Sequence, residues 1–170
     1  MTIDDNIGRL GRGISFGNAL DAVREGDAGF RLLERFFAEV RDAGFDTVRL
    51  PVRWSAHASE SPPYTISPAL FQRVDWAIGE ALGRDLNIVL NVHHYDELND
   101  APGGQRLRFL GLWRQIAARY ANWPGRLYFE LLNEPRAAMT AAVDKVRTAR
   151  GRAARHELVL LGLRHRLRRV

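Results

Sequence analysis

Apolar residues along the first 132 positions switch repeatedly between strand-like runs and helix-like stripes. Residues 11–16 (GRGISF) form a short strand-like stretch that ends in the turn-prone pair Gly17-Asn18. Over 30–43, Leu33, Phe36, Phe37 and Val40 recur at helical spacing. Residues 46–52 (DTVRLPV) read as a second strand closed by Pro51, which has no N–H to give a central ladder. After a loop holding Pro62-Pro63, Ser67-Pro68 is a good N-cap and first-position pair. It opens a helix with Phe71, Val74, Ile78 and Ala81 on one face. Residues 86–92 (LNIVLNV) are a near-continuous apolar run of buried-strand length. A polar loop with Gly103-Gly104 then leads to a helix that aligns Phe109, Trp113, Ile116 and Tyr120, and 126–132 make a fourth strand.

Strands that start near 12, 46, 86 and 126 with a helix between each pair are the βαβ signature of a parallel sheet, so the class is α/β. Each apolar run passes abruptly into polar residues: Asn18 after the first, Arg49 and then Trp54 at the second, His93, His94 and Tyr95 after the third, Asn133 and Glu134 after the fourth. A (β/α) barrel gathers the carboxyl ends of all its strands into one site, whereas a doubly wound sheet concentrates its ligand at one switch point. Gly11, Gly13 and Gly17 do not match the spacing of a phosphate-binding loop. The barrel is the reading that uses all four clusters.

The chain has 170 residues, 46% of them hydrophobic and 26% charged, which suits one globular unit. It has no cysteine, so thiol nucleophiles, disulfides and cysteine-ligated metals are excluded. No run reaches the roughly 18 apolar residues of a membrane helix, so no membrane partner is expected. The first ten residues (MTIDDNIGRL) lack the pattern of a signal peptide, and a cytoplasmic location is the expectation for the chain as written. The net charge of +5 is uneven: residues 1–140 carry −2 and 141–170 carry +7. All sixteen aromatic residues lie at or before Phe129. The sequence therefore divides into a body, 1–140, and an Arg-rich segment, 141–170.

Each polar cluster has a plain reading beside a functional one. Arg49 is either a surface arginine or, flanked by Val48 and Leu50, a group projecting into the barrel mouth. His93 and His94 with Glu97 have a metal-like composition, but that spacing at a strand end does not aim three ligands at one point, so no metal is expected. Trp54 is either core or a platform for an apolar sugar face. Glu134 is a turn carboxylate before Pro135 or, following a mostly apolar strand, a partly desolvated acid whose pKa rises toward general-acid duty.

LYFELLNEP (127–135) resembles the fourth-strand motif of glycoside hydrolase family 5, the cellulase family. GRGISFGNALDA, GFDTVRLPVRWS, PPYTI, NIVLNVHHYDEL and FLGLWRQIAARY are similar, in the same order, to the first half of its endoglucanase-like members. The resemblance spans about residues 10–140. It implies a (β/α)₈ TIM barrel, of which about the first four βα units are present. It further implies hydrolysis of β-linked polysaccharides by a retaining two-carboxylate mechanism, with no cofactor. By motif position Glu134 is the general acid/base, Asn133 holds the sugar 2-hydroxyl, Arg49 orients the nucleophile and His93 lines the same subsite. Asn18, Trp54, His94 and Tyr95 are expected to contact substrate.

A retaining site needs a second carboxylate about 5–5.5 Å from the first, which the family places at the end of its seventh strand. After Glu134 the acidic residues here are Asp144 and Glu157, and neither has that setting, so no nucleophile is expected in this chain. Four βα units leave a sheet edge open, so self-association through that edge is expected unless another half covers it. With 24 Arg to 1 Lys overall, 141–170 reads as a frameshifted tail replacing the second half. The alternative is a non-catalytic half-barrel that binds carbohydrate, or nucleic acid through a basic helix at 158–167. The missing interleaved aromatics disfavour nucleic acid.

Overall fold

The computed structural model describes residues 8–135, so the Arg-rich segment and the acidic residues at 144 and 157 lie outside the described residues. Four strands form one sheet: β1 (Gly13–Ser15), β2 (Thr47–Val52), β3 (Asn87–Val92) and β4 (Leu127–Glu130). They are all parallel and stand in the order β1-β2-β3-β4. Between them run helices α1 (Glu34–Asp42), α2 (Pro68–Leu82), the short α3 (Asp96–Asp100) and α4 (Pro102–Tyr120). Spatial order follows chain order without reversal, as in a barrel and unlike a doubly wound sheet.

The period-2 alternation of the strands explains how the two faces differ. Val48, Leu50 and Val52 of β2 and Ile88, Leu90 and Val92 of β3 are fully buried and pack with Phe37 of α1, Val74 and Ile78 of α2, and Leu112 and Ile116 of α4. The core thus lies between the sheet and its helices, on one side only. The opposite face carries Arg49, Asn91 and Glu130, with Asn91 level with Glu130 in the register. That face would line the inside of a closed barrel.

The helical stripes form largely as their spacing implies, and the departures are local. Phe71, Val74, Ile78 and Ala81 are all buried on α2. α1 begins only at Glu34, which leaves Leu33 outside the helix and 43% exposed. Gly103 and Gly104 lie inside α4 rather than in a loop, because Pro102 takes the first helical turn, where no N–H is needed. Pro51 does not close β2 but sits within it, paired with Asn91. Pairing with β1 ends at Arg49, whose carbonyl accepts from Phe16 N–H, and the next N–H on that side, Arg53, goes to the Leu20 carbonyl. The missing donor of Pro51 therefore falls where no strand requires it.

Among the described residues no helix is long and apolar enough to cross a membrane.

Candidate active site at the carboxyl end of the sheet

The chain leaving β3 and the chain leaving β4 are each anchored to the strand before. His93 N–H donates to Val52 O at 2.8 Å, and Asn133 N–H donates to Val92 O at 2.9 Å. These two bonds fix the backbone from which the polar side chains project. Arg49 spans the cluster: its Nε donates to Glu130 Oε2 at 2.7 Å, its Nη2 to Glu130 Oε1 at 2.8 Å and to Asn133 Oδ1 at 2.9 Å. The Arg49 and Glu130 side chains are 16% and 11% exposed, so this two-pronged pair is largely shielded from water. Asn91, fully buried, places its Nδ2 at 3.3 Å from both Glu130 Oε1 and His93 Nδ1.

On the other side of His93 stands Asp21, from the loop after β1. The backbone N–H of Ala19 donates to its Oδ1 at 2.9 Å, while its Oδ2 lies 4.0 Å from His93 Nε2 and 3.9 Å from His94 Nε2. The His93 and His94 rings meet edge to face with centroids 4.4 Å apart. Asp21, His93 and His94 form the one group among the described residues whose ligand atoms fall within metal-binding reach, all within 4.8 Å of one another. Asp21, not Glu97, is therefore the carboxylate near the histidines.

Burial drives the His93 imidazole down to about pKa 4, with the Arg49 guanidinium and the neighbouring His94 adding to the effect and Asp21 and Glu130 opposing it. His93 is thus neutral at pH 7. The unfolded chain takes up this proton near pH 6.5 and the folded chain only near 4, so the unfolded state binds more protons between those values. Stability attributable to His93 is present above about pH 6.5 and is lost as the pH falls toward 4. Urea unfolding of the chain and of His93→Phe at pH 7 and pH 4.5 checks this: the wild type should lose more stability on acidification than the variant. Equal losses would contradict it.

Several expected substrate contacts have a different place. Trp54 is fully buried and lies against Phe71 of α2, and its indole N–H donates to the Asn91 carbonyl at 2.9 Å. It is core and offers no sugar platform, because the short 3₁₀ helix Trp54–His57 turns its ring behind the sheet. Tyr95 is likewise buried at 1% exposure, its hydroxyl donating to Gln105 Oε1 of α4 at 2.8 Å. Glu134 is exposed, so the desolvation expected of it is not supplied by the described residues; strand pairing has already ended four positions earlier, at Glu130. Asn18 and His94 are also exposed. Asn18, His94 and Glu134 all have left-handed backbone, at φ 62°, 47° and 40°, a conformation that costs a non-glycine residue energy and that concentrates at functional loops.

The residues brought together are thus Arg49, His93 and Asn133, joined by three that the pattern of polar strand ends does not single out: Asp21, Asn91 and Glu130. Asn91 and Glu130 had a usable signal. Each is a polar residue inside an apolar strand, and Asn91 is two positions before His93, on the same face. Asp21, in an irregular loop, had none.

The family model for cellulase (glycosyl hydrolase family 5) matches residues 22–155. The chain belongs to the cellulase family. It is 37% identical over 127 residues to Endoglucanase H of Acetivibrio thermocellus, covering 75% of this chain and 14% of that protein. Among solved structures it is similar to Thermotoga maritima Cel5A. The cellobiose complex has a TM-score of 0.78 and 44% identity over 85% of this chain and 50% of that one; the mannotriose complex has a TM-score of 0.74 and 51% identity over 75% and 41%. The chain therefore spans half or less of these cellulase-family relatives, and its four strands are a partial TIM barrel.

Proposed function

We propose that the chain carries the acid/base half of a site that hydrolyses O-glycosidic bonds in β-linked glucans and related polysaccharides with retention of configuration. The observation that supports it most is the convergence of Arg49, His93 and Asn133 beside Glu134 at the carboxyl end of a parallel sheet. Arg49 holds the carbonyl oxygen of the Asn133 amide, which leaves that amide's N–H₂ to donate to the 2-hydroxyl of a bound sugar. That contact strengthens as the transition state gains oxocarbenium character. Glu134, the next residue, protonates the leaving glycosidic oxygen in the first half-reaction and takes a proton from water in the second. His93, neutral at pH 7, lines the same pocket as a hydrogen-bonding group rather than a second cation.

The nucleophile, which the family places on the seventh strand, falls outside the four strands described. Cel5A bound to cellobiose and to mannotriose makes β-1,4-linked oligosaccharides the class to try first. Titrating the 170-residue chain with cellotetraose and with mannotriose, followed by NMR, should shift the signals of Asn133, His93, His94 and the Arg49 guanidinium. The Trp54 indole signal should stay in place. Shifts confined to other surfaces, or none with either sugar, would contradict the proposal.

A further inference from the structure

We infer that Asn91, oriented by Glu130, is a positioning residue that keeps His93 in the tautomer with its proton on Nε2, so that His93 presents a fixed hydrogen-bond donor at the mouth of the sheet. Glu130, bonded twice by Arg49, is a carboxylate and accepts only. The Asn91 amide atom 3.3 Å from it must therefore be the nitrogen, because the reverse orientation would set oxygen against oxygen. That same nitrogen, through its second hydrogen, lies 3.3 Å from His93 Nδ1. A donor facing Nδ1 requires a lone pair there, and in a neutral imidazole the proton is then on Nε2. The orientation is kept although it leaves Asn91 Oδ1 buried without a hydrogen-bond partner among the described residues.

The consequence lies on the other side of the ring. Nε2–H points toward Asp21 Oδ2, 4.0 Å away, too far for that carboxylate to satisfy it. The donor thus remains for an acceptor that comes from outside, of the kind a sugar hydroxyl or ring oxygen provides. The same tautomer makes the Asp21, His93 and His94 group a poor metal site, since a ligating Nε2 needs its lone pair and a proton on Nδ1. That the acceptor is a sugar rests on the hydrolase proposal; the tautomer does not.

The charged and titratable groups acting on His93 are Arg49, His94, Asp21 and Glu130, while the side chain at hydrogen-bonding distance from Nδ1 is the uncharged Asn91. Long-range ¹⁵N–¹H spectra of the histidine-labelled chain at pH 7 should show His93 with a protonated Nε2 and an unprotonated Nδ1. A proton on Nδ1, or an average of both tautomers, overturns the inference. Asn91→Asp sets a carboxyl group beside Glu130; the proton that the two acids share lies between them, so the oxygen facing Nδ1 accepts, and the variant should move the ring's proton to Nδ1 and raise its pKa above about 4. An unchanged tautomer in that variant overturns the role of Asn91. If Asn91→Asp does not fold, Asn91→Ala removes the donor without adding charge and should let both tautomers appear while the pKa rises; a single Nε2–H form with an unmoved pKa overturns it. Adding cellotetraose separates the two ideas, because a wild-type His93 with the expected tautomer and no response to sugar sinks the hydrolase proposal alone.

Discussion

Arg49→Ala is expected to destabilise the chain by about 3–5 kcal/mol, the range for removing one partner of a buried ion pair. The Glu130 carboxylate, 11% exposed in the intact pair, would be left with the Asn91 amide as its one remaining described side-chain donor, and Asn133 would lose the contact that holds its amide. Since a single domain is typically stable by about 5–15 kcal/mol, much of the folded population is at stake. Equilibrium urea unfolding at pH 7, followed by circular dichroism, measures the change. Arg49→Met combined with Glu130→Leu should recover part of the loss, because an apolar pair of similar volume has no charge to strand, although Asn91 and Asn133 each lose a partner. A loss below about 1 kcal/mol for Arg49→Ala would mean that water screens the pair as it does a surface bridge.

This prediction rests on a contact that the sequence only half disclosed. Arg49 was legible as a charged residue between Val48 and Leu50 at a strand end, but its partner was not. Glu130 lies in the middle of what reads as an apolar strand, and only the register, which sets Glu130 level with Asn91 and one row beyond Arg49, shows that three strands supply one network. The alternation of β2 and β3, the stripe of α2 and the chain order of the strands were all readable, because each depends on neighbours close in sequence. The burial of Trp54 and Tyr95 is not legible, for the opposite reason. An aromatic residue just past a strand has no local periodicity, and whether its ring turns to the mouth or behind the sheet is decided by Phe71 of α2 and Gln105 of α4, remote in sequence. Glu134 shows a third limit: apolar neighbours before a carboxylate do not bury it once strand pairing has ended at Glu130.

The largest functional effect is expected at Glu134. If residues 8–135 replace the matching part of Thermotoga maritima Cel5A, whose remaining strands complete the barrel, the hybrid should hydrolyse β-glucan, and Glu134→Gln should lower that rate about 10²–10⁴-fold, the usual worth of a general acid/base. An unactivated sugar oxygen cannot leave without a proton, so the loss should be full on the natural bond. An aryl glycoside whose phenol departs as a stable anion needs no acid for the first step, although water attack in the second step still needs a base. Glu134→Gln should therefore give a burst of phenolate followed by slow turnover on such a substrate.

The most direct measurement is the pair of rates for the hybrid and its Glu134→Gln variant, on β-glucan and on dinitrophenyl β-cellobioside. A collapse on β-glucan with a retained phenolate burst on the aryl glycoside is the predicted result. Loss of the phenolate burst on the aryl glycoside together with the β-glucan rate, or an undiminished rate on β-glucan, would contradict an acid/base role for Glu134 and with it the assignment of this sheet end as half of a glycosidase site.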